Sequence, residues 1–341
     1  MKRKKMGSLL LILFVGLLLC GCEARPEISD MLIISGAGID FTKEGVQLSV
    51  QAQQAETDPD SIFLQTEAAT VSEAMDLLTE ETGKVVVTSQ TMVLVVGQSG
   101  LDESHIDTLY KAACELKLRP DVLLVLAEEE AGELLGARDD REKLLPVEEL
   151  QAICENGLRN GKGWPVRLMD WYNEFYGEAG NASLPQVGYR QEGVWLYQGT
   201  QLINDDGHTA LWLSDRETAL YAAMSGKSET FLYTLPTRRA ASIQLSVNGH
   251  TALQTGPALS LQVTLQGQYT AQGSQPKEED VNRLMQKDCE ALLQKMEDAG
   301  CLSFLWEKAL LWQDTEAFRR MQATGTQPDV DWQVEVHVTP Q

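Results

Sequence analysis

Histidine is scarce in this sequence, and the four present are placed where chemistry could make little of them. His105, His208, His250 and His337 stand singly, none at zinc-ligand spacing from a cysteine, and there is no H-E-x-x-H. Positive charge is also scarce: 28 Lys and Arg stand against 50 Asp and Glu, a formal charge of −22. So acidic a chain lacks the basic surface that non-specific DNA or RNA binding requires, and anionic lipid headgroups repel it. No C-x-x-C pair occurs, and no repeat at solenoid or propeller spacing is visible.

Catalytic templates are incomplete wherever they begin. Gly97-Gln98-Ser99-Gly100 resembles a nucleophile elbow, but Leu101 stands where the second glycine belongs. The run from Gly157 through Gly161, Lys162 and Gly163 is one residue short of a phosphate loop and lacks the Ser or Thr after the lysine. Gly36-Ala37-Gly38 has no third glycine. Asp58-Pro59-Asp60 and Asp205-Asp206-Gly207 are acidic turns without the remaining ligands of a calcium loop. The sequence therefore predicts no catalytic, cofactor-binding or metal-binding residues.

What is present begins at the N-terminus. Met1–Met6 is basic, and Ser8–Cys20 is almost wholly apolar. That run covers about a dozen residues where a spanning helix needs roughly 20, which suits an export signal. Leu19-Cys20-Gly21-Cys22 has a leucine three positions before Cys22 and the small Gly21 directly before it. This is the pattern of a lipoprotein signal. Residues 1–21 are expected to be removed after Gly21, leaving Cys22 to carry a diacylglycerol. Two acyl chains at about 0.8 kcal/mol per buried CH₂ make a stable anchor. Cleavage also removes Lys2, Arg3, Lys4 and Lys5 and no acid, so the exported chain is more acidic still. Cys114, Cys154, Cys289 and Cys301 remain. Export permits disulfides, with Cys289–Cys301 the first pair to test. Cys114 and Cys289 fall in helical patterns, where a buried thiol serves as a small hydrophobe.

Periodicity predicts a mixed α+β ectodomain of two main parts. In residues 22–192, strands at Met31–Ile34 and Val46–Ala52 are separated by turn signals at Gly36-Ala37-Gly38 and Lys43-Glu44-Gly45. Thr70 and Glu73 read as a capping box opening a helix that Gly83 stops. Val85–Val87 and Val93–Val96 read as strands buried on both faces, followed by a helix over 104–118 that Pro120 ends. Val122–Leu126 continues as strand and Glu128–Leu135 as helix. Residues 147–185 read as a small helical subdomain. Its first helix is broken at Gly157, and its second carries Trp171, Tyr172, Phe175 and Tyr176. In residues 193–341, Ser214 and Glu217 form a second capping box, and Asn248-Gly249 signals a hairpin between alternating strands. An amphipathic helix over 278–299, capped by Gly300, precedes a final strand through Trp332, Val334, Val336 and Val338. An antiparallel sheet with one long helix against it is expected there.

Taken in order, these elements resemble the Ger(x)C or GerAC-like family, the C-subunit lipoproteins of spore-germination nutrient receptors. After the Gly-Cys lipobox come Arg25-Pro26-Glu27-Ile28-Ser29-Asp30, like the family's REI-x-D element, and Gly38-Ile39-Asp40, like its G-I-D element. QTMVLVVGQSGLDESHIDTL and Arg119-Pro120-Asp121 follow, then the span from Gly193-Val194-Trp195-Leu196 to Glu217-Thr218. Departures are Pro26 in the first element, Gln90 and Thr91 where the family usually has a histidine, and Cys301-Leu302-Ser303-Phe304-Leu305 in place of an Asp-x-x-Gly-x-G segment. The resemblance implies a non-enzymatic, lipid-anchored subunit on the outer face of the spore inner membrane. Its implied partners are an A subunit with soluble and membrane-spanning regions and a transporter-like integral B subunit. It does not imply that this subunit touches the nutrient. A solute-binding lipoprotein of an importer is the rival reading, and it would need two similar α/β lobes around a cleft.

Overall fold

The computed structural model describes residues 27–54, 61–101, 103–139, 141–160, 163–190, 194–204, 209–235, 241–255, 259–271, 275–324 and 328–341. The fold is mixed α/β, built on two sheets of unlike size. In chain order the larger sheet takes β1 (Met31–Phe41), β2 (Val46–Gln54), β3 (Ile62–Ala68), β4 (Val85–Val87), β5 (Val93–Val96), β6 (Leu123–Ala127), β7 (Ala182–Arg190), β8 (Val194–Ile203) and β9 (Thr209–Ser214). Their spatial order is β3-β2-β1-β5-β6-β7-β8-β9, with β4 paired to the start of β1. The centre, β1-β5-β6-β7, is parallel; the flanks β1-β2-β3 and β7-β8-β9 are antiparallel.

A parallel centre must be covered on both faces, and five helices do so: α1 (Val71–Thr82), α2 (Glu103–Glu115), α3 (Ala131–Leu135), α4 (Val147–Asn160) and α5 (Leu168–Phe175). Leu94, Val96, Leu124 and Leu126 pack in one cluster with residues of α1, α2 and α5. Val93, Val95, Leu123 and Val125 pack in another with residues of α3 and α4. Alternate side chains thus enter opposite cores, which is why all four residues of β5 are buried. The helices of the 147–185 region are divided between the two faces. β4 differs from its expectation: it lies at the margin and Val85 is exposed, because β1 beyond Ile33 pairs with β5 instead.

The smaller sheet has the order β10-β11-β12-β13, from β10 (Thr230–Leu235), β11 (Ala241–Gln254), β12 (Leu259–Ala271) and β13 (Val330–Pro340). It is antiparallel across its first three strands, but β13 joins β12 in parallel. A parallel neighbour needs a long crossover, here the helices α7 (Glu278–Asp298), α8 (Glu307–Gln313) and α9 (Thr315–Thr324). The face of α7 is the one its spacing predicts: Val281, Met285, Cys289, Leu292 and Met296 are buried. Gly300 follows with φ 68°. Asn282 clamps α7 to β13, accepting from the Val338 N–H at 2.8 Å and donating to its carbonyl at 3.2 Å.

Between the two sheets lies α6 (Asp215–Met224), buried all round from Thr218 to Met224. A helix with no solvent face belongs inside a core. Here it joins the two sheets into one hydrophobic cluster running from Leu32 to Val338. The sheets are not a pair of similar lobes, which the importer reading needed.

Two turn signals prove to be strand interior. Gly36-Ala37-Gly38 lies within β1. A Cβ on Gly36 would come 2.6 Å from Val147, and one on Gly38 2.9 Å from Leu135, so these glycines admit α3 and α4 against the strand. Asn248-Gly249 lies within β11, paired to Gln266 and Leu265. A Cβ on Gly249 would stand 1.7 Å from the Ala223 carbonyl oxygen, so the glycine lets α6 approach. Gly157 does not break its helix; α4 continues to Asn160. α2 ends at Glu115, before Pro120 is reached, and Lys117 then takes φ 53°.

Candidate functional site

The predicted cleavage and lipidation residues, Gly21 and Cys22, lie outside the described residues, as do Asp58-Pro59-Asp60 and Asp205-Asp206-Gly207. His105 is a packing residue: its ring stacks on Phe41 at 4.5 Å, and Nδ1 is 2.9 Å from the Ser99 carbonyl. Among the described residues no group of three or more His, Cys, Asp or Glu is placed to hold a metal ion. The four described cysteines are free. Burial pushes the Cys154 and Cys289 thiols up to about 12 and Cys301 to about 11. All three are therefore protonated and poor nucleophiles at neutral pH. Cys114, expected inside, is exposed on α2. No described helix is long and apolar enough to cross a membrane.

Polar order concentrates at two places. The first is where β1 meets α3. Asp40 is buried, and its carboxylate accepts the backbone N–H groups of Ala131 at 2.9 Å and Gly132 at 3.1 Å, capping α3. A Cβ on Gly97 would stand 1.7 Å from Asp40 Oδ1, so Gly97 leaves the room that this carboxylate fills. Desolvation raises the Asp40 carboxyl above its ordinary range, and the two N–H bonds only partly oppose it. At the other end of α3, Gln51 donates to the carbonyls of Leu135 and Leu145, each at 2.7 Å.

The second place joins α6 to the smaller sheet and α7. Ser214 and Glu217 make a complete capping box. The other Glu217 oxygen accepts from Lys295 Nζ on α7 at 2.8 Å. Next to Glu217, Arg216 pairs with Asp288 of α7, bonds the Tyr233 hydroxyl of β10 at 3.1 Å and lies 4.8 Å from that ring's centre. Tyr233 donates to Asp288 in turn.

Beside α6 opens a cavity of about 650 Å³. Five segments line it: α5 and the turn after it, the start of β7, the end of α6 with Lys227, the middle of β11, and the stretch from Phe304 through α8. Tyr221, Met224, Leu305 and Leu311 form apolar wall. Glu174 and Lys227 sit 3.5 Å apart, with Lys227 Nζ 4.6 Å above the Trp164 ring. Desolvation lowers the Lys227 pKa, and the Glu174 charge works against that shift. Nothing in the spacing of the sequence marks these residues as neighbours. Only the aromatic helix around Trp171 offered a signal, and there Trp171 and Phe175 turn out to be core.

Residues 24–189 match the family model of the spore germination protein N-terminal domain. Those residues carry an N-terminal domain of the GerAC-like family. The crystal structure of the GerBC protein is similar in fold, with a TM-score of 0.58 at 12% sequence identity over 89% of this chain and 96% of that one. Among curated proteins no sequence match is found.

In this GerAC-like chain the elements that carry the resemblance meet in space. Asp40, the last residue of the G-I-D element, fills the room beside Gly97 of the next element. Asp121 of the Arg119-Pro120-Asp121 element accepts at its carbonyl from Arg167 at 2.8 Å, just before α5 begins. Glu217-Thr218 caps the helix between the sheets, and Thr218 donates to the Leu213 carbonyl at 3.2 Å. Each of these positions bonds within the architecture of the fold.

Proposed function

We propose that this protein is a non-enzymatic, lipid-anchored subunit of a spore-germination nutrient receptor, held on the outer face of the membrane by a diacylglycerol on Cys22. One observation carries the reading: the spore germination domain begins at residue 24, directly after the cysteine that the lipobox selects. An anchor there holds the folded domain close to the bilayer, since the stretch from Cys22 to Met31 reaches at most about 30 Å. The acidity of the chain gives the anchor a purpose, because a surface that anionic headgroups repel needs covalent attachment. Confinement raises the local concentration of the subunit, so modest contacts with an integral-membrane A subunit and B subunit suffice.

Replacing Cys22 with alanine tests this. The folded domain should persist, membrane retention should be lost, and nutrient-triggered germination should slow. Normal germination by spores that carry only the unanchored protein overturns the reading.

A further inference from the structure

We propose that the cavity beside α6 binds a small zwitterion with an apolar body, an apolar α-amino acid or a dipeptide, its ammonium at Glu174 and its carboxylate between Lys227 and Lys308. This site is separate from the anchor and goes beyond the receptor reading above.

Size comes first. At about 650 Å³ the cavity falls within the range of small-molecule sites and holds an aromatic amino acid or a dipeptide with some water. Its lining combines an apolar wall with charges of both signs, the make-up that an amphiphilic zwitterion complements. The charges are also under-used. Glu174 and Lys227 are each about one-third exposed, and at 3.5 Å their hydrogen bond is longer than a strong charge-assisted one. Lys308 has no ion-pair partner among the described residues. Asn173, Glu174, Lys227 and Lys308 line a second cavity of about 380 Å³ as well. The charged groups therefore stand between two adjoining spaces, and a ligand head placed there meets both ammonium groups.

Two further observations point to an occupant. Ser183 lines the cavity at 2% exposure, and its buried hydroxyl has no hydrogen-bond partner. Buried hydroxyls are almost always satisfied, so this one lacks a group that a polar ligand would supply. Trp312 lines the same cavity and is 79% exposed, the most open of the large apolar side chains among the described residues. An aromatic face left in water at a cavity rim is covered when an apolar body enters.

The test is calorimetric titration of the full chain in detergent with L-phenylalanine, L-leucyl-L-phenylalanine and the doubly blocked N-acetyl-L-phenylalanine amide. Saturable one-to-one binding of a zwitterion is expected, with the blocked compound at least tenfold weaker. Glu174→Gln and Lys308→Met should each weaken zwitterion binding about fivefold or more. Trp312→Ala should do so without lowering the melting temperature, since the side chain is in solvent. The inference is overturned if neither zwitterion binds at millimolar concentration, if the blocked compound binds equally well, or if all three variants bind as the wild type does. This result is read on purified protein. Normal germination with Cys22→Ala would remove the receptor reading and leave it standing, and absent binding would leave the anchor untouched.

Discussion

Glu217 and Lys295 lie 78 residues apart in sequence and 2.8 Å apart in space, joining the helix between the two sheets to the long helix behind the smaller one. The same carboxylate closes the capping box of α6. Removing it therefore takes away a cap worth about 1 kcal/mol and an ion pair worth under about 1 kcal/mol, the latter reduced because both side chains are partly solvated. Glu217→Ala should lower unfolding stability by about 1–2 kcal/mol, and Lys295→Met by less. Equal losses in denaturant titrations would show that the cap contributes nothing.

The same carboxylate has a predictable pH signature. Burial alone would raise its pKa, but the bonds from Lys295 and Ser214 outweigh burial and hold it below the ordinary range. A depressed folded value contributes stability that is full above the unfolded value of about 4.3 and is lost as pH falls through the folded one. Glu217→Gln should flatten the acid side of the stability profile below about pH 4. Asp40 has the opposite sign, since its folded pKa is raised. Its contribution is full below about pH 4 and declines as pH rises through the folded value. Asp40→Asn should remove that decline from thermal melts taken between pH 4 and 7.

Gly97 and Asp40 should behave as one unit. Gly97→Ala drives a methyl into the Asp40 carboxylate and should cost about 3 kcal/mol from overpacking and a displaced cap. Asp40→Ala leaves two buried N–H groups unpaired at about 1–3 kcal/mol each. In the double variant the clash is gone, so the loss should fall well short of the sum. Additive losses in a double-mutant cycle would contradict the contact.

Glycines that look alike in sequence should differ in cost. Gly249→Ala meets the Ala223 carbonyl oxygen and should cost about 1–3 kcal/mol. Gly83→Ala meets nothing within 4 Å, and only its φ of 64° opposes the change, at about 1 kcal/mol. Chemical denaturation of the two variants orders them.

Alkylation at pH 8 should modify Cys114 first among the four described cysteines, because it alone is exposed. Cys154, Cys289 and Cys301 are buried with raised thiol pKa values and should react only on unfolding. Mass spectrometry of the modified peptides reads the order.

Much of this protein follows from local pattern. The cap at Thr70, the capping box at Ser214, the stops at Gly83 and Gly300, and the buried stripe of α7 are set by residues within a few positions of one another. Such interactions form wherever that stretch folds, so spacing alone predicts them. At Thr70 one bond differs: Glu73 accepts from the Ala69 N–H, one residue earlier than a reciprocal box requires. β3, β7, β9, β10, α8 and α9 carry no clear local signal, because their patterns are short or irregular and their faces are chosen by neighbours; the start of β7 replaces the end of the helical subdomain expected over 147–185.

The sequence by itself determined the Leu19-Cys20-Gly21-Cys22 pattern and the order of the motifs that resemble the GerAC-like family. It also determined most helix ends, since each depends on hydrogen bonds that close within one turn. Only the tertiary structure decided which glycines turn the chain and which admit a neighbouring element, because Gly36, Gly38, Gly97 and Gly249 are explained by contacts with residues distant along the chain. It likewise decided that β13 lies parallel to β12 and that Glu174, Lys227, Ser183 and Trp312 line one cavity. Those outcomes depend on how two sheets close around α6, a packing condition that no local spacing encodes.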